Sequence, residues 1–374
     1  MSSGPILHMD MDCFFVACEL LSRPYLAGKP VAVGGRPEER GVISTASYEA
    51  RRAGVHSALS SKIALQRCPN LVLLNHNFSK YEAMSNIIHE VFAQHAERVS
   101  SVGLDEAYLD FSHLSFEEAT TVAQNIKLQI FQKTRLVASA GLAPNPYLAK
   151  IASDWKKPNG FFVLHPHEVE KFVEQLPVRT LPGVGEVTEA RLLSLGAKTT
   201  GDLRRQGESW LTQHFGRYGE VLWELCRGVD SRDIFTQGAR RSLSIEHTFI
   251  QDLKTAPEWE MAILDLAQDW KERLAQYRLD SEDPRPLKNI FIKLKFSDFK
   301  SHTLAVPFTD TIDLNSTFLK LIQEAFLKWP GRAVRLLGVG GHFVSEEVES
   351  EDEEEEEQQL LLPLLWGRVL ADAV

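Results

Sequence analysis

Short apolar runs alternate with amphipathic stretches through about the first 165 residues. Residues 5–10 read as a strand, and FFVACELLS directly after them as a helix. VAVGG is a second strand, GVISTASYEARRAG passes from strand into helix, and LVLLN is another short strand. From Ser79 to about Arg98 apolar residues recur at helical spacing. VGLDEAYLDFS is strand-like with a turn inside it, FEEATTVAQNIKLQIFQKT is an amphipathic helix, and LVASAGLA is a strand. This alternation predicts an α/β region. Residues 168–235 are helical in pattern and punctuated by glycine, and residues 236–240 read as a linker. From Arg241 to Val344 the order is strand, helix, strand, helix, strand, which predicts a separate α+β unit. The expected class is α/β and α+β multidomain.

With 374 residues the chain can hold two to four domains. Its formal charge of −10 argues against a nucleic-acid binder until the charges are placed. From Glu346 to Glu357 there are ten acids and no base, so residues 1–345 are close to neutral and the acidity belongs to the tail. The four cysteines show neither CxxC pairing nor metal-ligand spacing, which fits a reduced, cytoplasmic compartment. MSSGPILHMD has no basic and apolar leader pattern, and LLLPLLW is far too short to span a bilayer. No membrane partner is expected.

LDEAYLD places Asp105 and Glu106 side by side in an apolar run. Buried unpaired carboxylates are costly, and neighbours on a regular strand face opposite ways. Both acids serve one site only if the backbone turns, and Gly103 offers the freedom to do so. HMDMDCFF adds Asp10 at the end of an apolar strand. Asp12, just before a helix, reads as its N-cap. Three acids from two strands suit Mg²⁺, and two such ions can activate one oxygen and stabilise another. An exposed acidic turn is the competing reading. Thr45, Tyr48, Arg51 and Arg52 in TASYEARRAG gather at a helix start, a natural phosphate cradle, although a lone YxxR is more often a solvated face. Lys156 and Lys157 precede a Pro-Asn-Gly turn that would hold a lysine out rigidly, or simply form a surface loop. Acids for metal and bases for phosphate together point to phosphoryl or nucleotidyl transfer. LPGVGEVTEARLLSLG is a hairpin between helices whose free backbone N–H groups suit a DNA phosphate; an ordinary loop is the alternative.

HMDMDCFFVACE, STASYEARRAG, LDEAYLD, SAGLAPNPYLAKIASDWKKPNG, LPGVG, LKFSDF and VRLLGVG, in this order, resemble the Y family of DNA polymerases, DinB type, the bacterial DNA polymerase IV group. The resemblance covers about residues 5–345 and implies a right-hand polymerase: palm (1–19 and 76–167), small fingers (20–75), helical thumb with the helix–hairpin–helix (168–235), linker (236–240) and an α+β little finger (241–345). It implies a translesion enzyme that extends a primer 3′-hydroxyl by a two-metal mechanism, with low fidelity and no proofreading. Asp10, Asp105 and Glu106 would be the catalytic acids, holding two Mg²⁺ with help from the Met11 carbonyl. Phe14, Phe15, Thr45, Tyr48, Arg51 and Lys157 would hold the incoming nucleotide, with Phe15 as steric gate against a 2′-hydroxyl; by pattern alone Phe15 is a core aromatic. Gly183, Val184 and Gly185 would meet DNA. The chain departs from the family at Gly103 (usually Ser), Pro146 (usually Lys) and Glu186 (often Lys), none of them a metal ligand. QLLLPLLW, with Gln359, Leu360, Leu362 and Leu364, resembles the peptide that docks on a sliding clamp; a final helix or loose apolar end is the alternative. Implied partners are primer–template DNA, deoxynucleoside triphosphates and the clamp, with the protein a monomer. The rival functions are a non-catalytic DNA-binding module and a two-metal nuclease. The bases poised for a triphosphate favour the polymerase.

Overall fold

Leu7, Met9 and Met11 point one way from their strand and His8 and Asp10 the other, because side chains alternate along a strand. The architecture of the first half follows from that division. The computed structural model describes residues 4–236, 239–281, 283–309 and 311–344. These fall into two compact units, one of residues 4–35 and 42–236, the other of residues 36–41 and 239–344.

The first unit begins with β1 (Ile6–Met11), α1 (Phe14–Ser22), β2 (Val31–Gly34), β3 (Ile43–Ala46), α2 (Tyr48–Arg52), α3 (Ser61–Arg67) and β4 (Val72–Leu74). It continues with α4 (Phe78–Ala93), β5 (Val99–Ser101), β6 (Glu106–Asp110), α5 (Phe116–Thr134), β7 (Ala138–Ala143), α6 (Pro146–Asp154) and β8 (Phe161–Val163). A five-stranded sheet runs β5-β6-β1-β7-β8, with β1 central and antiparallel to both neighbours. On one face Leu7, Met9, Met11, Ala107 and Leu109 are buried with Val91 and Phe92 of α4 and Ala123, Ile126 and Ile130 of α5. On the other face lies α6. It approaches so closely over Gly141 that a Cβ there would stand 2.2 Å from Ala149 O and Ser153 N. Only glycine fits, and the helix is thereby pressed onto the face that carries His8 and Asp10. Asn145 caps α6 by accepting from Leu148 N, and Pro146 sits at its first position, where a missing N–H costs nothing.

Strands β3-β2-β4 form a second, small sheet with its own core of Ala32, Ile43, Ala46, Val55, Ala64 and Leu71. Beyond β8 come five short helices: α7 (Val169–Glu174), α8 (Glu186–Ser194), α9 (Thr200–Gln206), α10 (Glu208–Phe215) and α11 (Arg217–Leu225). Their leucines, among them Leu192, Leu203, Leu211 and Leu222, share a core with Tyr147 and Leu148 of α6.

The second unit comprises β9 (Ser242–Leu253), α12 (Ala256–Ser281), β10 (Leu287–Phe296), β11 (Ser301–Pro307), α13 (Leu314–Lys328) and β12 (Val334–Phe343). The sheet order is β11-β10-β12-β9, antiparallel throughout, with Trp259, Trp270 and Phe318 in the core. The pattern of the chain predicts three strands here and the structure has four. The additional strand, SHTLAVP, is an edge: its side chains alternate between half-buried and exposed, so no apolar run marks it. Pro307 at its end suits an edge position. Residues 237 and 238, inside the expected linker, and the tail from 345 onward, including Gln359, Leu360, Leu362 and Leu364, lie outside the described residues. Among the described residues no helix is long and apolar enough to cross a membrane.

Candidate active site

Asp10 and Glu106 are direct partners across the β1–β6 ladder, so both side chains leave the sheet on the α6 face. Asp105 stands one residue before β6, where the chain is still turning, and its carbonyl accepts from Met11 N at 2.9 Å. The turn closes through Val102 N and Gly103 N, both donating to Glu106 O. The expected bend is present, but Gly103 is not its cause. Its φ is not left-handed, and a Cβ there would meet nothing nearer than Asp105 Oδ1 at 3.5 Å. A serine would fit as well.

Helix α6 and the residue that follows one turn later supply the countercharge. Lys150, Asp154 and Lys157 fall at i, i+4 and i+7. Lys157 Nζ lies 2.6 Å from Asp10 Oδ1 and 2.8 Å from Asp154 Oδ1. It is therefore folded inward, not held out into solvent as the Pro-Asn-Gly turn suggested. Burial works against its charge, but Asp10 and Asp154 outweigh that and hold its pKa above the ordinary lysine value. Lys150 pairs with Glu106. Behind Glu106, His8 Nδ1 lies 2.8 Å from Ser153 Oγ, while its buried Nε2 faces Glu106 Oε2 at 3.5 Å. Burial raises the Glu106 pKa, but the His8 ring and the Lys150 ammonium pull harder and bring it down to about 2.

Asp105 is the exception. No basic group stands within ion-pairing distance of it among the described residues. Burial first, then the charges of Asp10 and Glu106, push its pKa up to about 7. Three clustered oxygen donors with a surplus of negative charge suit a hard divalent cation. The side chains as placed do not close around one: among the described residues no three His, Cys, Asp or Glu side chains are grouped to share an ion, and Asp10 and Glu106 are each paired with a lysine.

Thr45 lies on β3, not at the helix start, and Ser47 caps α2. Tyr48 and Arg51 share one face of α2: the guanidinium lies 5.0 Å from the Tyr48 ring centroid, and Arg51 Nε donates to Ala46 O. Arg52 is exposed and turns back to Glu49. The Phe14 ring is buried in the core, so only its backbone is available to a ligand. Phe15 is half-buried, stacked on Tyr81 at 4.2 Å and edge-on to Phe78 at 6.0 Å. Asp12 is not the cap of α1. Cys13 holds that position in a left-handed conformation with no side-chain bond, and Asp12 is buried and hydrogen-bonded elsewhere.

In the hairpin before α8, Gly183 has φ +81°, and a Cβ there would lie 2.7 Å from Tyr218 Oη. Val184 N and Gly185 N donate within the turn, to Leu181 O and Gly183 O. The free donors are thus Gly183 N and the first amides of α8, at residues 186–188, among the described residues. Sequence reasoning missed His8, Lys150 and Asp154. The i, i+4, i+7 spacing of Lys150, Asp154 and Lys157 was the available signal.

The model of the impB/mucB/samB family matches residues 9–154, and that of its C-terminal domain residues 240–360. A thumb-domain model of DNA polymerase-iota matches residues 179–230. The DNA polymerase IV of Glaesserella parasuis serovar 5 (strain SH0165) is 43% identical over 348 residues, covering 92% of this chain and 97% of that one. The DNA polymerase IV of Pseudomonas putida KT2440 is 44% identical over 342 residues, covering 91% and 95%. The chain belongs to the DinB type of Y-family DNA polymerases. Among solved structures, the Y-family polymerase chimera Dbh-Dpo4(243-245)-Dbh superposes with a TM-score of 0.80 at 26% identity, covering 91% of this chain and 99% of that one. An insertion ternary complex of Dbh DNA polymerase gives 0.63 at 25% identity, with the same coverage of each chain. The fold is therefore the right-hand polymerase with palm, small fingers, helical thumb and α+β little finger. The family's activity is DNA-directed DNA synthesis of the translesion class, by a metal-dependent mechanism.

Proposed function

We propose that this polymerase binds primer–template DNA and deoxynucleoside triphosphates on the α6 face of β1 and β6, with Asp10, Asp105, Glu106 and the Met11 carbonyl holding two Mg²⁺. The observation that carries the reading is the cross-strand pairing of Asp10 with Glu106, with Asp105 at the turn beside them. The ions, when bound, would make the primer 3′-hydroxyl more acidic and stabilise charge on the departing pyrophosphate. The chain's own groups do the rest. Glu106, kept ionised by Lys150 and His8, accepts a hydrogen bond from the primer 3′-hydroxyl and orients it. Lys157 moves its ammonium from Asp10 to the triphosphate, and Thr45, Arg51 and the amides of Phe14 and Phe15 complete the phosphate cradle. Tyr48 steadies Arg51 beneath its guanidinium. Phe15, braced by Tyr81, excludes a 2′-hydroxyl.

The proposed boundaries are palm 1–19 and 76–167, fingers 20–75, thumb 168–235, linker 236–240 and little finger 241–345. The hairpin at Gly183, Val184 and Gly185 grips a DNA phosphate through its free amides. The tail presents Gln359, Leu360, Leu362 and Leu364 to a sliding clamp. The enzyme works in the cytoplasm as a monomer, copying with low fidelity and no proofreading. Incubating a labelled primer–template with Mg²⁺, with and without deoxynucleotides, tests the core of this reading. Extension only when nucleotides are present is expected; shortening of the primer in their absence would favour a nuclease instead.

A further inference from the structure

Asp12 follows Asp10 by two residues and has no assigned part in the reaction, yet it is the better connected of the two. Its carboxylate is buried and receives three donors from three different elements. Tyr48 Oη of α2 donates to Oδ1 at 2.9 Å. Ser139 Oγ of β7 lies 3.0 Å from Oδ1 and 3.1 Å from Oδ2. Asn159 N, in the turn just after Lys157, donates to Oδ2 at 2.6 Å. Ser139 Oγ also accepts from Gly160 N, so that turn is fastened twice.

Each tie ends next to a group that the proposed function gives to the triphosphate. Tyr48 has a single hydroxyl proton, and it points at Asp12. Burial and the Asp12 charge raise the phenol pKa, so the proton stays available for that bond. With its hydroxyl committed, Tyr48 offers a phosphate only lone pairs. Its ring instead lies under the Arg51 guanidinium, whose Nε is already held by Ala46 O. Among the described residues, the outer edge of the Arg51 guanidinium is left without a bonded partner on that face. On the opposite side, the 159–160 turn fixes the backbone from which Lys157 reaches Asp10. A carboxylate suits this hub of three donors. It accepts on both oxygens, whereas an amide would set an NH₂ against one of the donors.

We infer that Asp12 is a positioning residue for the incoming triphosphate, aligning Arg51 through Tyr48 and Lys157 through the 159–160 turn. This rests on the triphosphate reading above, so the test must separate the two. Single-nucleotide incorporation is measured over a range of deoxynucleotide concentrations for the full chain and for Asp12→Asn, Tyr48→Phe, Asp12→Asn/Tyr48→Phe and Arg51→Ala. Melting temperature and primer–template affinity are measured for each. Asp12→Asn should raise the nucleotide KM by about tenfold, the scale of one charge-assisted hydrogen bond, and lower kcat by less. Tyr48→Phe should raise KM in the same direction, and the double variant should be little worse than Asp12→Asn alone. A staple with a merely structural role would lower the melting temperature and leave KM near wild type. KM unchanged in folded Asp12→Asn while Arg51→Ala raises it overturns the inference and leaves the triphosphate site standing. KM unchanged in Arg51→Ala overturns the site, and the inference with it. Should Asp12→Asn fail to fold, Tyr48→Phe decides: it keeps the other two donors on Asp12, so a raised KM supports the role and an unchanged one ends it.

Discussion

Asp105 carries a charge that the protein alone does not neutralise. An acid whose folded pKa lies above its unfolded value weakens the fold as pH rises. The cost is absent below about pH 3.8 and complete above about pH 7. In EDTA, Asp105→Asn should therefore be more stable than the parent at pH 8 by roughly 1–3 kcal/mol, and the gain should vanish toward pH 4. Urea unfolding at the two pH values checks this; a variant no more stable at pH 8 would contradict the picture of an uncompensated carboxylate. For Phe15, the expected result of Phe15→Ala is a rise in ribonucleotide incorporation of roughly tenfold or more, with deoxynucleotide use retained. At this scale the sequence showed which residue types gathered, but not their partners. Asp10, Asp105 and Glu106 stood out because acids inside apolar strands need a reason. Asp12 did not, because its position before a helix imitates a cap. Its true partners, Tyr48, Ser139 and Asn159, are distant in the chain, and no local pattern announces them.

Helix α1 is tied to α4 by Glu19, buried on α1 and bonded to Tyr81 Oη at 3.1 Å, Lys80 Nζ at 3.1 Å and Arg23. The same Tyr81 supports Phe15. Glu19→Ala should cost about 2 kcal/mol, since it leaves these donors without their acceptor. It should also relax the exclusion of ribonucleotides, although Glu19 lies a full turn from Phe15. Thermal unfolding and nucleotide competition read the two effects, and stability loss with unchanged selectivity would separate Tyr81 from the gate. In the thumb, Gly183→Ala should destabilise by roughly 1–2 kcal/mol, because the backbone is left-handed there and Tyr218 Oη blocks a side chain. Fluorescence anisotropy should show weaker primer–template binding; unaltered affinity would remove the hairpin from the DNA grip. Elements themselves were well marked in the sequence. FEEATTVAQNIKLQIFQKT is helical from Phe116 to Thr134, behind a capping box of Ser115 and Glu118. Strand β11 escaped notice because an edge strand buries too little to leave an apolar signature.

For the whole molecule, the net charge of −10 misleads, since ten acids lie between Glu346 and Glu357. A chain ending at residue 345 should extend a primer on its own as the full chain does, and should lose any stimulation by a sliding clamp. Clamp stimulation that survives the truncation would assign docking elsewhere. The central claim is that three carboxylates, on β1, on β6 and in the turn just before β6, perform nucleotide addition. Its most direct test is primer extension by Asp105→Ala, with duplex affinity measured on the same preparation. The account predicts that extension is abolished while primer–template binding stays within about twofold of the parent. Extension at the parental rate would contradict it.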